Sequence, residues 1–163
     1  MSASHSPRVA VFAGTFDPIT LGHEDVIRRG AMLFDRLLVA VASGHHKSPR
    51  LPLARRMALC QEVLGELPGV EVVAFDGLLV DCCRQHGAGV MLRSARHSSD
   101  FDYEAQLAAM NRKLSPPVQT VMLLPEASLQ CISSTLVREI SALGGALDGL
   151  VSPAVVRALS ESA

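Results

Sequence analysis

Ten residues near the start of the chain, Gly14-Thr15-Phe16-Asp17-Pro18-Ile19-Thr20-Leu21-Gly22-His23, hold the first cluster able to do chemistry. Gly14 permits close backbone approach, Thr15 brings a hydroxyl, and a Gly-His pair stands where an amphipathic helix begins. Donors at such a helix start converge on an anion, and the helix dipole favours negative charge there. A phosphate suits that environment. Taken singly, Gly14 and Gly22 read as turn residues and His23 as a capping histidine. A second string, Ile132-Ser133-Ser134-Thr135-Leu136-Val137-Arg138, sets three hydroxyls at another predicted helix start, where Ser and Thr also serve as ordinary caps. The dinucleotide fingerprint G-x-G-x-x-G is absent, which argues against a nicotinamide-dependent dehydrogenase.

The elements that must position these residues alternate. Apolar, β-branched runs at Arg8 to Ala13, Arg36 to Ser43, Val70 to Phe75, Gly89 to Arg93 and Val118 to Leu124 predict strands. Helical periodicity predicts helices over Glu24 to Phe34, Leu53 to Leu67, Leu78 to His86, Phe101 to Leu114, Ser134 to Leu143 and Pro153 to Leu159. Strands that are apolar throughout are covered on both faces, and short links between strands and helices give right-handed parallel crossovers. The expectation is a doubly wound, Rossmann-like α/β fold, with a five-stranded parallel sheet in one domain spanning residues 1–163. Ligands of such sheets bind beyond the carboxyl ends of the strands, where the strand order reverses. The loops Gly44 to Pro52 and Pro125 to Ile132 lie on that edge and read as the longest unstructured stretches.

Composition narrows the partners. The chain has 163 residues, 48% of them apolar and 19% charged, with net charge −1. Its basic residues are scattered, which excludes the clustered Lys/Arg footprint of a nucleic-acid or anionic-membrane binder. No run approaches the ~18 apolar residues of a membrane span, and the N-terminal segment lacks a signal-peptide core, so a cytoplasmic location is expected. Cys60, Cys82, Cys83 and Cys131 show no CxxC and no His at ligand spacing; they read as reduced thiols, with no protein metal site.

The string from Gly14 to His23 resembles the signature of the nucleotidyltransferase superfamily marked by (His/Thr)-x-Gly-His. Ile132 to Arg138 resembles that superfamily's Ile-Ser-Ser-Thr-x-x-Arg signature. A third stretch, Asp100-Phe101-Asp102-Tyr103-Glu104 and onward to Arg112, is similar to the Asp-Phe-(Glu/Asp)-Tyr-Glu helix of bacterial phosphopantetheine adenylyltransferases. That resemblance runs from Arg8 to Leu159. It implies that Thr15, Phe16 and His23 contact the ATP phosphates, with His23 stabilising the transition state. It implies that Thr15, Lys47, Leu79 and Arg93 line the acceptor pocket. Ser94, Ala95, Arg96, Glu104 and the stretch Leu129, Gln130, Cys131, Ile132, Ser133, Ser134 and Thr135 fall at its nucleotide-binding positions. Physics agrees on Arg93 as a bidentate fork and Lys47 as a compact charge for a phosphate. His45 and His46 take no role. The chain departs from the family in three places: Ser94 follows Arg93 where relatives carry glycine, Leu129 replaces a frequent aromatic, and Ala13 a frequent proline.

The reaction so implied transfers the adenylyl group of ATP to 4'-phosphopantetheine, giving dephospho-coenzyme A and pyrophosphate. A phosphate nucleophile is already ionised near pH 7, so no general base is needed, and the work falls to His23, Lys47, Arg93 and helix-terminal amides. Mg²⁺ is expected to accompany ATP on phosphate oxygens and water. The resemblance further implies a homohexamer, with coenzyme A as a possible feedback ligand. Two other readings stay open: a nucleotidyltransferase using another acceptor, and a regulatory module that holds a nucleotide without turnover.

Overall fold

The computed structural model describes residues 7–44 and 48–161. Five strands, β1 (Val9–Gly14), β2 (Arg36–Ala42), β3 (Val70–Phe75), β4 (Val90–Ser94) and β5 (Gln119–Leu123), form one sheet. Its order is β3-β2-β1-β4-β5 and every pairing is parallel. Six helices lie around it: α1 (Leu21–Leu33), α2 (Leu53–Leu64), α3 (Leu79–Gln85), α4 (Ser98–Leu114), α5 (Ser134–Ala142) and α6 (Pro153–Ser160). The expected doubly wound, Rossmann-like sheet is present, with the order reversing between β1 and β4.

Successive side chains of a strand point to opposite faces, so an apolar run is stable only where both faces are covered. Phe12, Leu37, Val39 and Leu92 pack on one face with Ile27 of α1, Leu59 of α2 and Val155 of α6. Val11, Leu38, Ala40 and Met91 pack on the other with Val80 and Cys83 of α3. Burying each such Leu or Val contributes ~1.5–3 kcal/mol. Leu37→Ala, at a wholly buried position, would cost ~2–5 kcal/mol through the cavity it leaves. Gly30 lets α1 sit directly on the sheet, since a Cβ there would stand 2.6 Å from Leu92 Cδ2.

Boundaries depart from expectation where local hydrogen bonds decide them. Helix α1 starts at Leu21 rather than Glu24, because Thr20 caps it and the His23 side chain reciprocates. Helix α2 stops at Leu64, capped by Gly65, rather than running on to Leu67. Helix α4 starts one turn earlier than Phe101, at Ser98. The stretch from Pro125 to Ile132 is not unstructured: Ala127–Leu129 forms a 3₁₀ turn. Asp25 of α1 accepts the Glu126 N–H at 3.0 Å, and Arg29 donates to the Leu124 carbonyl at 2.6 Å. These two bonds fix the chain leaving β5 against α1.

Candidate active site

The ends of β1 and β4, at the reversal of strand order, open into a cavity of about 390 Å³. The N-terminus of α1 enters from one side through Gly22 and His23, and that of α5 from another through Ser133, Ser134 and Thr135. Among the described residues, no hydrogen bond takes the backbone N–H of Gly22, Ser134 or Thr135. Two positive helix ends with free donors therefore face one space. The fold would tolerate a side chain at Gly22, where a Cβ would meet nothing nearer than the Leu129 carbonyl at 3.5 Å.

His23 has a defined proton arrangement. Its Nδ1 accepts the Thr20 backbone N–H at 3.1 Å, and a backbone N–H can only donate. The neutral ring therefore carries its proton on Nε2, as a donor. Burial against Phe12 and Phe16, whose ring centroids lie 6.4 and 5.2 Å away, lowers the His23 pKa to about 4, with the nearby Arg96 charge adding to the effect. At neutral pH this histidine is an uncharged hydrogen-bond donor.

Three arginine–carboxylate pairs line the same cavity. Arg93 grips Glu104 through Nε at 2.7 Å and Nη2 at 2.6 Å, and its Nη1 donates to the Ala13 carbonyl at 3.0 Å. Arg96 bonds Asp100 through Nε at 3.2 Å and reaches the Ile132 carbonyl. Burial alone would raise the Asp100 pKa, but the backbone and side chain of Arg96 outweigh it and the pKa is lowered. Arg138 lies 3.7 Å from the Asp17 carboxylate and donates to the Asp17 carbonyl. Each guanidinium has five N–H groups, so each is held in place with donors left over.

The remaining expected residues separate. Thr15 and Ser94 line the cavity, as does Phe16, which is buried at φ 47. Ser94 takes no positive φ, so a glycine is not demanded there by backbone conformation. Ser133 accepts from the Leu136 N–H to cap α5, Ser134 donates to the Pro18 carbonyl at 2.8 Å, and Ile132, buried in the core, also lines the cavity. Ala95 is buried beneath the cavity and does not line it. Leu129, Gln130 and Cys131 lie outside the lining: Leu129 packs on the core, Gln130 donates to the Pro125 carbonyl, and Cys131 is exposed. Leu79 is also outside it, packed against the core face formed with α3. Lys47, with His45 and His46, lies outside the described residues.

The chain matches the cytidylyltransferase-like family model over residues 11–140. It is 52% identical over 147 residues to the phosphopantetheine adenylyltransferase of Aromatoleum aromaticum, covering 90% of each chain. It is 54% identical over 154 residues to that of Alkalilimnicola ehrlichii, covering 93% of this chain and 88% of the relative. This chain belongs to the phosphopantetheine adenylyltransferase family. It is therefore a nucleotidyltransferase. A Vibrio parahaemolyticus structure described as a nicotinate-nucleotide adenylyltransferase superposes with a TM-score of 0.69 at 17% identity, over 96% of this chain and 91% of that one, and shares its fold.

Sequence reasoning missed two further groups. Arg138 closes the second signature and had a visible signal, since its motif position was already in hand. Asp17 likewise stands inside the first signature, but its partners gave no signal: its carboxylate accepts the N–H groups of Arg50 and Leu51 at 2.8 and 2.9 Å, more than thirty residues away. Among the described residues no helix is long and apolar enough to cross a membrane. No group of three or more His, Cys, Asp or Glu there could hold a metal ion.

Proposed function

We propose that residues 1–163 act as one nucleotidyltransferase domain that moves the adenylyl group of ATP onto 4'-phosphopantetheine, releasing pyrophosphate and forming dephospho-coenzyme A. The carrying observation is the convergence of two helix N-termini, with unpaired N–H groups, on a cavity flanked by Arg93, Arg96 and Arg138. That arrangement suits a polyphosphate. An oxygen of the acceptor phosphate forms a bond to the α-phosphorus of ATP while the bond to the bridging pyrophosphate oxygen breaks. The attacking oxygen is already ionised, so no base is needed. With a pKa of about 4, His23 has no proton to exchange near neutrality; its Nε2–H stabilises charge on the transferring phosphoryl oxygens.

Arg93 supplies the acceptor phosphate with the donors that Glu104 and Ala13 leave over, Thr15 and the Phe16 amide serve the ATP phosphates, and Arg96 lies by the nucleotide. Glu104 thus acts on Arg93 first, rather than as a free acceptor for the nucleotide. Lys47 remains the proposed second cation for the acceptor. The cavity carboxylates Asp17, Asp100 and Glu104 are each engaged with arginine, which supports Mg²⁺ carried on triphosphate oxygens and water rather than by a protein cage. When bound, Mg²⁺ neutralises charge on the departing pyrophosphate.

We extend the proposal to a cytoplasmic homohexamer with coenzyme A as feedback ligand. Self-association is supported by α4, in which Phe101, Tyr103, Met110 and Leu114 are all at least half exposed. The deciding assay is pyrophosphate release from ATP with and without 4'-phosphopantetheine. Release that depends on the acceptor supports the reading; release with no acceptor requirement, or none with both substrates, overturns it.

A further inference from the structure

Arg56, in the first turn of α2, is 1% exposed, yet its guanidinium forms no hydrogen bond to a carboxylate. It spends its donors on four backbone carbonyls from three separate segments. Nε bonds the Leu51 carbonyl at 3.0 Å, Nη1 the Thr15 and Ala42 carbonyls at 2.6 and 2.7 Å, and Nη2 the Ser43 carbonyl at 3.2 Å. A buried cation is costly, and an apolar side chain of similar volume would often serve stability as well or better. What only a planar, five-donor group can do is hold three strands of backbone in one geometry.

One of those carbonyls belongs to the cavity-lining turn. The Thr15–Phe16 peptide is trans and planar, so its carbonyl and its N–H point in opposite directions. Arg56 draws the Thr15 carbonyl into the core, which turns the Phe16 N–H the other way. Among the described residues no hydrogen bond takes that N–H, and Phe16 is held at φ 47, a conformation that costs a non-glycine residue free energy and persists only where its surroundings enforce it. Asp17 reinforces the same turn from the opposite side by taking the amides of Arg50 and Leu51, so Leu51 is held through both its carbonyl and its N–H.

We propose that Arg56 is a positioning residue for phosphoryl transfer: it never touches substrate, and it aims the Phe16 amide into the cavity as a preset donor to the transferred or departing phosphate. This rests on the nucleotidyltransfer reading above and adds to it the group that orients one of its donors.

Arg56→Lys keeps the charge but cannot span three segments. Its kcat for pyrophosphate release should fall ~10- to 100-fold per folded molecule, the loss expected of a misplaced donor. The Michaelis constant of 4'-phosphopantetheine should stay within about threefold, because the Phe16 amide serves the ATP phosphates and not the acceptor. Leu59→Val, one turn along α2 in the core, serves as a comparison destabilised by a cavity away from the active site and should keep its kcat. Retained kcat in Arg56→Lys, or equal losses in the two variants, overturns the proposal. Should Arg56→Lys fail to fold, wild-type protein labelled with ¹⁵N-phenylalanine decides: saturating pyrophosphate should move the Phe16 amide proton downfield, and an unmoved resonance overturns the idea. Wild-type protein that releases no pyrophosphate from ATP and phosphopantetheine would instead sink the nucleotidyltransfer reading, leaving the Phe16 amide to judge Arg56.

Discussion

His23 performs two separable tasks, one on each ring nitrogen, and two substitutions tell them apart. In His23→Ala the Thr20 N–H loses its acceptor at a position only 1% exposed. A stranded buried donor costs ~1–3 kcal/mol. For a chain of this size each kcal/mol is worth ~2–4 °C, so the melting temperature should fall by roughly 2–12 °C. In His23→Asn the side-chain oxygen can occupy the place of Nδ1, restoring the acceptor but stopping short of Nε2. Most of the lost stability should return. The rate should not: either variant removes one preset transition-state donor, worth ~10²- to 10³-fold in kcat, or about 2.7–4 kcal/mol. ATP binding should change little in either. The assay pairs steady-state pyrophosphate release with thermal melts and calorimetry of ATP binding. Near wild-type kcat in His23→Asn would refute the role given to Nε2, and ATP affinity that collapses in step with kcat would make His23 a ground-state contact.

Stability should depend on pH through the same ring. With a folded pKa of about 4 against an ordinary 6.5, the unfolded chain takes up the proton first, so stability is full above about 6.5 and falls as pH drops toward 4, by ~3 kcal/mol in all. Urea unfolding between pH 8 and 4 should show this fall in wild type and lack much of it in His23→Asn; identical profiles would refute the assignment. Arg93→Lys should raise the phosphopantetheine Michaelis constant ~10- to 150-fold, for a lost charge-assisted bond of ~1.5–3 kcal/mol, and should also lower the melting temperature because Glu104 loses its bidentate partner. An effect confined to ATP would place Arg93 on the nucleotide. Among the thiols, burial raises the pKa of Cys60 and of Cys83 to about 12 and raises that of Cys82, whereas Cys131 is exposed. A thiol reagent should therefore label one cysteine quickly in the native protein and four after unfolding; two fast-reacting thiols would contradict the burial of the Cys82–Cys83 pair.

The sheet was legible because a strand covered on both faces needs unbroken apolar sequence, as Val9 to Ala13 and Leu37 to Val41 have, and parallel crossovers leave few alternatives. Both phosphate-facing strings were legible because each lies within one loop and one helix start. What escaped involves partners distant in sequence. The Arg93 fork looked available from sequence, yet Glu104, eleven residues on, occupies one edge of it. Arg56 had no sequence signal at all, because its four acceptors are main-chain carbonyls and any residue offers one. The Thr20-x-x-His23 cap was half readable: His23 alone reads as a capping histidine, but its pairing with Thr20 hid because histidine replaces the usual Glu or Gln of a capping box.

The strand order has a consequence for how the molecule is made. Among the described strands β1 is made before the others and is the central one in space; β2 and β3 come next along the chain, but its other neighbour, β4, begins only at Val90. At ~5–20 residues per second, β1 waits roughly 4–15 s on the ribosome with one hydrogen-bonding edge open, far longer than hairpins or helices take to form. A half-made chain thus exposes an apolar strand edge of the kind that pairs with neighbours until Val90 emerges. The phosphate cavity comes later still, since its last wall, Arg138, is made after every strand. The complete cavity is therefore a feature of the finished chain, whereas the β1–β3 half of the sheet is available long before it.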